Sequence, residues 1–162
     1  MPEAVTKAMP ELAEIQTVID RFARNGMRGA LLPLLHALQE EFGFVDPQAV
    51  PLIAEALNLS RAEVHGVVSF YPDFREQAPA RHVVKLCRAE SCQSRGSAAI
   101  EAELVRRLGI GMGDARPDGQ VALEPIYCLG LCAIGPNALV DERPVAGIDR
   151  AAVERIVAEV TA

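Results

Sequence analysis

Tryptophan is missing from this 162-residue chain, and aromatic residues make up only 4% of it. Any core must therefore be filled by Leu, Ile, Val and Ala, and half of the chain is hydrophobic, which is enough for one. Long apolar runs are missing too. The longest uncharged stretch, Ile126 to Val140, falls short of the ~20 residues a membrane helix needs and is broken by Gly130, Gly135, Pro136 and Asn137. No membrane span is expected. The opening residues, Met1 to Gln16, have neither the apolar core of a secretory leader nor the Arg-richness of a transit peptide, so a cytoplasmic, reducing compartment is expected. An excess of positive charge is also absent, with a formal net charge of -6 and a pI near 5.1. Phosphate neutralisation needs clustered Lys and Arg, so a nucleic-acid partner is not expected.

Two further absences narrow the chemistry. No C-x-x-C occurs, which removes the thioredoxin-type dithiol and the usual zinc knuckle. The three histidines, His36, His65 and His82, are too scattered for a Rieske centre, which needs two His ligands. They are expected to pack or hydrogen-bond on helices (His36, His65) and to open a strand (His82).

What is present falls into two textures, residues 1–75 and residues 76–162. The first reads as helical. Leu12, Ile15, Ile19 and Phe22 recur at helical spacing, with Asn25-Gly26 as a stop. A second helix is expected from about Ala30 to Phe42, with Pro33 in its first turn and Gly43 ending it. Asp46-Pro47 suits an N-cap followed by a first-position proline, Ile53 and Leu57 share a face, and Asn58 suits the C-terminal end. Ser60 to Glu63 fits a capping box opening a helix with Val64, Val67 and Val68, closed by Tyr71-Pro72. A linker is expected around Arg75 to Arg81.

The second region alternates. His82 to Leu86 suits a short strand ending at Cys87, and Ser97 suits the cap of a helix to Leu108 with an Ile100, Leu104, Leu108 stripe. Residues 110–119 read as a loop, and Val121 to Leu123 as a strand. Ala138 to Val140 and Pro144 to Ala146 suit a hairpin, and Asp149 the cap of a final helix whose core face carries Val153, Ile156, Val157 and Val160. Strand, helix, strand, two more strands and a closing helix indicate an α/β (α+β) domain, a small sheet with helices packed on it.

All four cysteines lie in this second region, as Cys87-x4-Cys92 and Cys128-x3-Cys132 with 35 residues between the pairs. Both pairs are expected in Gly- and Ser-bearing loops after strands. Four thiolates are the usual complement for a [2Fe-2S] centre. Such a centre is anionic, more so when reduced, and needs backbone dipoles or cations nearby. Arg88 and Arg95 flank the first pair, and Gly96-Ser97 would open a helix whose amides can face it. Zinc also accepts four thiolates and stands as the rival, and four unrelated packed cysteines are the bland alternative.

Other signals carry less. Gly109-Ile110-Gly111-Met112-Gly113 lacks the spacing of a phosphate-binding loop and follows a helix, so it reads as plain loop. Ala56 to Tyr71 has the outline of a helix-turn-helix, which would make the chain a redox-sensing DNA-binding protein. Residues 1–80, however, hold 6 basic and 11 acidic side chains, which gives such a reader little phosphate anchoring.

The residues Val83 to Gln93, containing C-R-A-E-S-C, and Tyr127 to Cys132, Y-C-L-G-L-C, resemble the thioredoxin-like [2Fe-2S] ferredoxins, the small subunits of NADH:quinone oxidoreductase and its soluble relatives. Upstream, Leu31 to Gln39 and Arg61 to Tyr71 resemble the family's helical N-terminal part, so the likeness runs over about residues 28–150. Ile134-Gly135-Pro136-Asn137 departs from it, where relatives often place Ala-Pro or Ser-Pro.

The resemblance implies an N-terminal helical bundle followed by a thioredoxin-like domain, with one [2Fe-2S] cluster on Cys87, Cys92, Cys128 and Cys132, and leaves zinc little room. It also implies electron transfer with no catalytic residue in this chain, and a partner subunit carrying FMN and the NAD site. The C-R-A-E-x-C and R-A-E-V-H-G runs look most like the gamma subunit of soluble NAD-dependent, molybdenum-containing formate dehydrogenases. That likeness adds a larger subunit with the molybdenum cofactor. The corresponding subunits of NADH:quinone oxidoreductase or of an NAD-linked hydrogenase are the alternative hosts. On these expectations Arg88 or Arg95 would stabilise the reduced cluster.

Overall fold

The computed structural model describes residues 9–23 and 28–162. The stop signal read at Asn25-Gly26 lies outside the described residues. The chain divides after Pro79 into two compact units, each with its own core.

In the first unit α1 spans Leu12–Ala23, a 3-10 turn covers Arg28–Ala30, α2 spans Leu31–Phe42, α3 Ala49–Ala56 and α4 Arg61–Phe70. Each helix is short and amphipathic, so burial of one apolar face stabilises it more than propensity does. Ile15, Val18 and Ile19 of α1, Leu34, Leu35 and Leu38 of α2, Ile53 of α3 and Val64 of α4 meet in one core. Leu12, expected on the core stripe of α1, is instead exposed, and Val18 takes part in its place. Pro33 is the third residue of α2, where its missing N–H would have had no intrahelical partner. Gly43 ends α2 at φ 87°, its N–H donating to the Gln39 carbonyl, a conformation that suits glycine.

The capping box of α4 is complete. Ser60 Oγ accepts from the Glu63 N–H, and the Glu63 carboxylate accepts from the Ser60 N–H at 2.8 Å. Asp46 differs from expectation. Its Oδ1 accepts from the Gln48 N–H and its carbonyl from the Ala49 N–H, so it forms a turn ahead of α3 without capping the helix itself. His36 packs its ring against Phe74, whereas His65 lies exposed on α4.

In the second unit β1 (His82–Cys87), α5 (Glu90–Ser94), α6 (Ser97–Leu108), β2 (Val121–Ile126), β3 (Ala138–Val140), β4 (Arg143–Val145) and α7 (Arg150–Val160) follow in order. The sheet order is β2-β1-β3-β4, with β1 and β2 parallel and the other pairs antiparallel. Parallel pairing of β1 and β2 requires a crossover, which α5 and α6 provide. The β3–β4 turn is two residues long, and Asp141 (φ 49°) and Glu142 (φ 64°) both take the left-handed conformation that lets a tight hairpin follow the strand twist. Both edge strands carry a proline, Pro125 in β2 and Pro144 in β4, where the lost donor spares the ladder. Val84 and Leu86 of β1, Leu123 of β2 and Val140 of β3 present one apolar face to Leu104 of α6 and to Val153 and Ile156 of α7. Asp149 caps α7 through the Ala152 N–H at 2.7 Å.

Two local expectations are corrected. β2 runs on to Ile126, because its register with β1 continues through Pro125 opposite Leu86. Ser97 does not cap α6. Gly96, at φ 92°, occupies the cap position, and Ser97 is the first helical residue, fully buried with its Oγ donating to the Cys87 carbonyl at 2.7 Å.

Candidate iron-sulfur centre

The two cysteine pairs come together at one end of the sheet, where β1 and β2 finish and the loop into β3 begins. They are not all loop residues, contrary to the expectation from the sequence. Cys87 is the last residue of β1, and Cys92 sits inside the short α5, both 1% exposed. Cys128 follows β2 at φ 64° and is exposed, while Cys132 opens a 3-10 turn and is partly exposed. Helix α5 was not legible in the sequence. Five residues are too few for an apolar period, and the segment is held by the strand and helix flanking it.

Within each pair the thiols are neighbours. Cys128 Sγ and Cys132 Sγ lie 3.7 Å apart, and Cys87 and Cys92 are close enough for each to shift the other's pKa. Across the pairs, the Cys128 N–H donates to Cys87 Sγ at 3.3 Å. Among the described residues no group of three or more His, Cys, Asp or Glu converges as a preformed metal site. The thiols are arranged by twos.

The surroundings treat the sulfurs differently. Burial pushes the Cys87 thiol up, but hydrogen bonds from the Ala89, Cys128 and Leu129 N–H groups and the Cys92 thiol outweigh it, and its pKa falls below that of an ordinary thiol. Burial, then the hydrogen bond with Cys87, holds the Cys92 thiol up. The hydrogen bond with Cys128 and that neighbour's charge raise Cys132, with burial adding to both. A cation or an iron centre that lowers the charge at these sulfurs would relieve such mutual repulsion.

Backbone amides, the start of α6 and two arginines surround the first pair. The amides that reach Cys87 come from Ala89, Cys128 and Leu129, and α6 is tied to the site through the Ser97 hydroxyl. Arg88 is not a free cation. Its Nε lies 3.2 Å from Glu101 Oε2, a charge contact whose alignment makes no hydrogen bond. Arg95 Cδ lies 3.4 Å from where a Cβ on Gly135 would stand.

The segment Gly135-Pro136-Asn137 matters more than the sequence suggested. The Gly135–Pro136 peptide is cis. A Cβ on Gly135 would lie 3.2 Å from Cys92 Sγ, so glycine permits this close approach. Asn137 is 1% exposed, its carbonyl accepting from the Cys87 N–H at 2.9 Å and its Nδ2 lying 3.7 Å from Cys92 Sγ. A polar residue following Gly-Pro at the start of a buried strand was the available signal.

The chain is 33% identical over 115 residues to one of the NADH-quinone oxidoreductase subunits of Pseudomonas aeruginosa, spanning 71% of this chain and 69% of the relative. It is 27% identical over 159 residues to NADP-reducing hydrogenase subunit HndA of Solidesulfovibrio fructosivorans, spanning 98% and 92%. Among solved structures it is similar to an NAD+-reducing [NiFe]-hydrogenase in the air-oxidized state, with TM-score 0.70 and 26% identity over 82% of this chain. The match spans only 23% of that hydrogenase chain. The description "Thioredoxin-like [2Fe-2S] ferredoxin" matches residues 15–161, both cysteine pairs included. A four-stranded mixed sheet under α6 and α7, two thiol pairs at its end and a match over nearly the whole chain agree, and the protein belongs to the thioredoxin-like [2Fe-2S] ferredoxin family.

Proposed function

We propose that Cys87, Cys92, Cys128 and Cys132 hold one [2Fe-2S] cluster and that the chain carries single electrons within a larger NAD-linked oxidoreductase. The observation behind this is the pairing of the thiols. A tetrahedral metal with thiolates at about 2.3 Å sets its two sulfurs roughly 3.8 Å apart. The Cys128–Cys132 separation of 3.7 Å fits that bite, and Cys87 and Cys92 form a second pair of interacting thiols at the same sheet end, joined to the first by the Cys128 N–H donating to Cys87 Sγ. The donor set therefore suits two metals sharing four thiolates, the complement of a [2Fe-2S] centre.

When bound, such a cluster takes up and releases one electron at a time. The chain's residues supply the rest. The Ala89, Cys128 and Leu129 amides meet negative charge on Cys87, and burial of Cys87 and Cys92 keeps water from that side. Exposure of Cys128 next to Tyr127 (69% exposed), with Ile134 (55% exposed) in the turn that Cys132 opens, offers the face across which a partner exchanges electrons. NADH gives up a two-electron hydride, so a partner subunit carrying FMN and the NAD site divides the pair.

For the host, the C-R-A-E-x-C and R-A-E-V-H-G runs favour a cytoplasmic NAD-dependent formate dehydrogenase, with the molybdenum cofactor on a larger subunit. A second reading, the equivalent subunit of NADH-quinone oxidoreductase or an NAD-linked hydrogenase, is favoured by the names its relatives carry.

Anaerobic reconstitution tests the site. Two irons, two acid-labile sulfides and visible absorption per chain are expected, with the signal lost or altered in each single Cys→Ala variant. A colourless protein that takes up zinc and no sulfide would end the electron-carrier reading. The native assembly tests the host. Molybdenum and formate-dependent NAD reduction are expected, and neither being present would move the chain to the second reading.

A further inference from the structure

We propose that Asn137 is a positioning residue whose side-chain amide hydrogen-bonds the Cys92 sulfur and thereby favours the reduced state of the centre. This rests on the four-cysteine assignment above. Asn137 is 1% exposed, and every polar atom of its side chain is occupied. Nδ2 donates to the Leu131 carbonyl at 2.8 Å and lies 3.7 Å from Cys92 Sγ, while Oδ1 accepts from the Gly147 N–H at 3.3 Å. A carboxamide has two N–H donors, so one serves Leu131 and the other is left for the sulfur.

The orientation is decided by the partners. Flipping the amide would set Oδ1 against the Leu131 carbonyl, two acceptors facing each other, and turn the NH2 toward the Gly147 N–H. The amide dipole therefore points its positive end at Cys92 Sγ. That sulfur is buried, and in a low-dielectric site an N–H···S hydrogen bond is stronger than in water. Negative charge on the sulfurs grows when the centre accepts an electron, so the bond strengthens on reduction. Hydrogen bonds to the sulfurs are among the features that set the potentials of such centres.

The same residue joins both halves of the site. Its carbonyl accepts from the Cys87 N–H, and its amide holds the carbonyl of Leu131, the residue before Cys132. Arg88, the residue nearest the first pair by sequence, has its charge offset by Glu101. Of these two side chains, it is the neutral Asn137 amide and not that cation that points a donor at a sulfur.

Two variants of the full chain, reconstituted anaerobically, test the assignment by EPR-monitored redox titration. Asn137→Leu removes the amide at similar volume. Asn137→Asp keeps an acceptor for the Gly147 N–H and removes both donors. Each is expected to retain iron and sulfide at the wild-type ratio while the reduced-to-oxidised ratio at a fixed potential falls about tenfold, a shift of about 59 mV for one electron. A full cluster at the wild-type potential in both variants would overturn the proposal and leave the four-cysteine reading standing. Should both variants lose the cluster, wild-type protein labelled with 15N in its asparagine side chains decides. Pulsed EPR of the reduced centre is expected to show a weak 15N coupling, and its absence overturns the proposal. A wild-type chain that takes up no cluster overturns the four-cysteine reading itself, and this inference with it.

Discussion

Ser97 offers a direct test of how the sheet end is held. Its side chain is fully buried, and its Oγ donates to the Cys87 carbonyl at 2.7 Å, locking the first turn of α6 to the last residue of β1. Ser97→Ala removes that donor without changing the helix, since alanine is the better helix former. The Cys87 carbonyl loses a hydrogen-bond partner in a site closed to water, and an acceptor left so costs about 1–3 kcal/mol. At about 1.4 kcal/mol per factor of ten, the β1 amides should open and exchange roughly 5- to 150-fold more often. Hydrogen exchange followed by mass spectrometry on peptides covering residues 82–87 reads this directly. Ser94→Ala is the control, because that hydroxyl is exposed and bonds only within its own short helix, to the Ser91 carbonyl at 2.9 Å. Its effect should stay within about 0.5 kcal/mol, near twofold in rate. If exchange of β1 in Ser97→Ala stays within twofold of wild type, the strand end is held by something other than this hydroxyl.

Ser60→Ala should destabilise the helical unit by about 0.5–2 kcal/mol through loss of the α4 capping box, with Ser60→Asp close to wild type, as urea midpoints followed on α4 amides will show. Glu103 bonds both Arg106 and Arg107, which hold its carboxyl down to about 2 from an ordinary value of 4.5, and Arg107 reaches on to Glu154 of α7. Because the folded value is the lower one, this contribution to stability is complete above pH 4.5 and lost as pH falls through about 2. A 13C-detected titration should find the Glu103 midpoint near 2 and moved upward in Arg107→Ala. A wild-type midpoint near 4.5 would refute the arrangement.

The elements legible in the sequence are those set by contacts a few residues apart. The Ser60–Glu63 box, the Asp149 cap and the glycine after Phe42 each satisfy a helix end with a partner no more than four positions away, so composition and order suffice. The hairpin after β3 is local in the same sense, although its second strand starts at Arg143, one residue earlier than the expected Pro144, and the β-branched residues of β1 mark a strand without any distant partner. The stripe of α1 misleads at Leu12 because periodicity marks a face but not how far along the helix the neighbouring core extends.

By itself, the order of residues determined that two tight cysteine pairs sit in an α+β region behind a helical one, since thiol spacing and hydrophobic period are properties of the chain. Folding alone decided the rest. The order β2-β1-β3-β4 brings residues dozens of positions apart to one end of the sheet, so that Cys87 and Cys92 are buried, Cys128 faces outward, and Asn137 reaches a sulfur 45 residues earlier in the chain. No local preference encodes such approaches. They follow from strand register and from the packing of α6 and α7, which are settled only when the whole apolar face is buried at once.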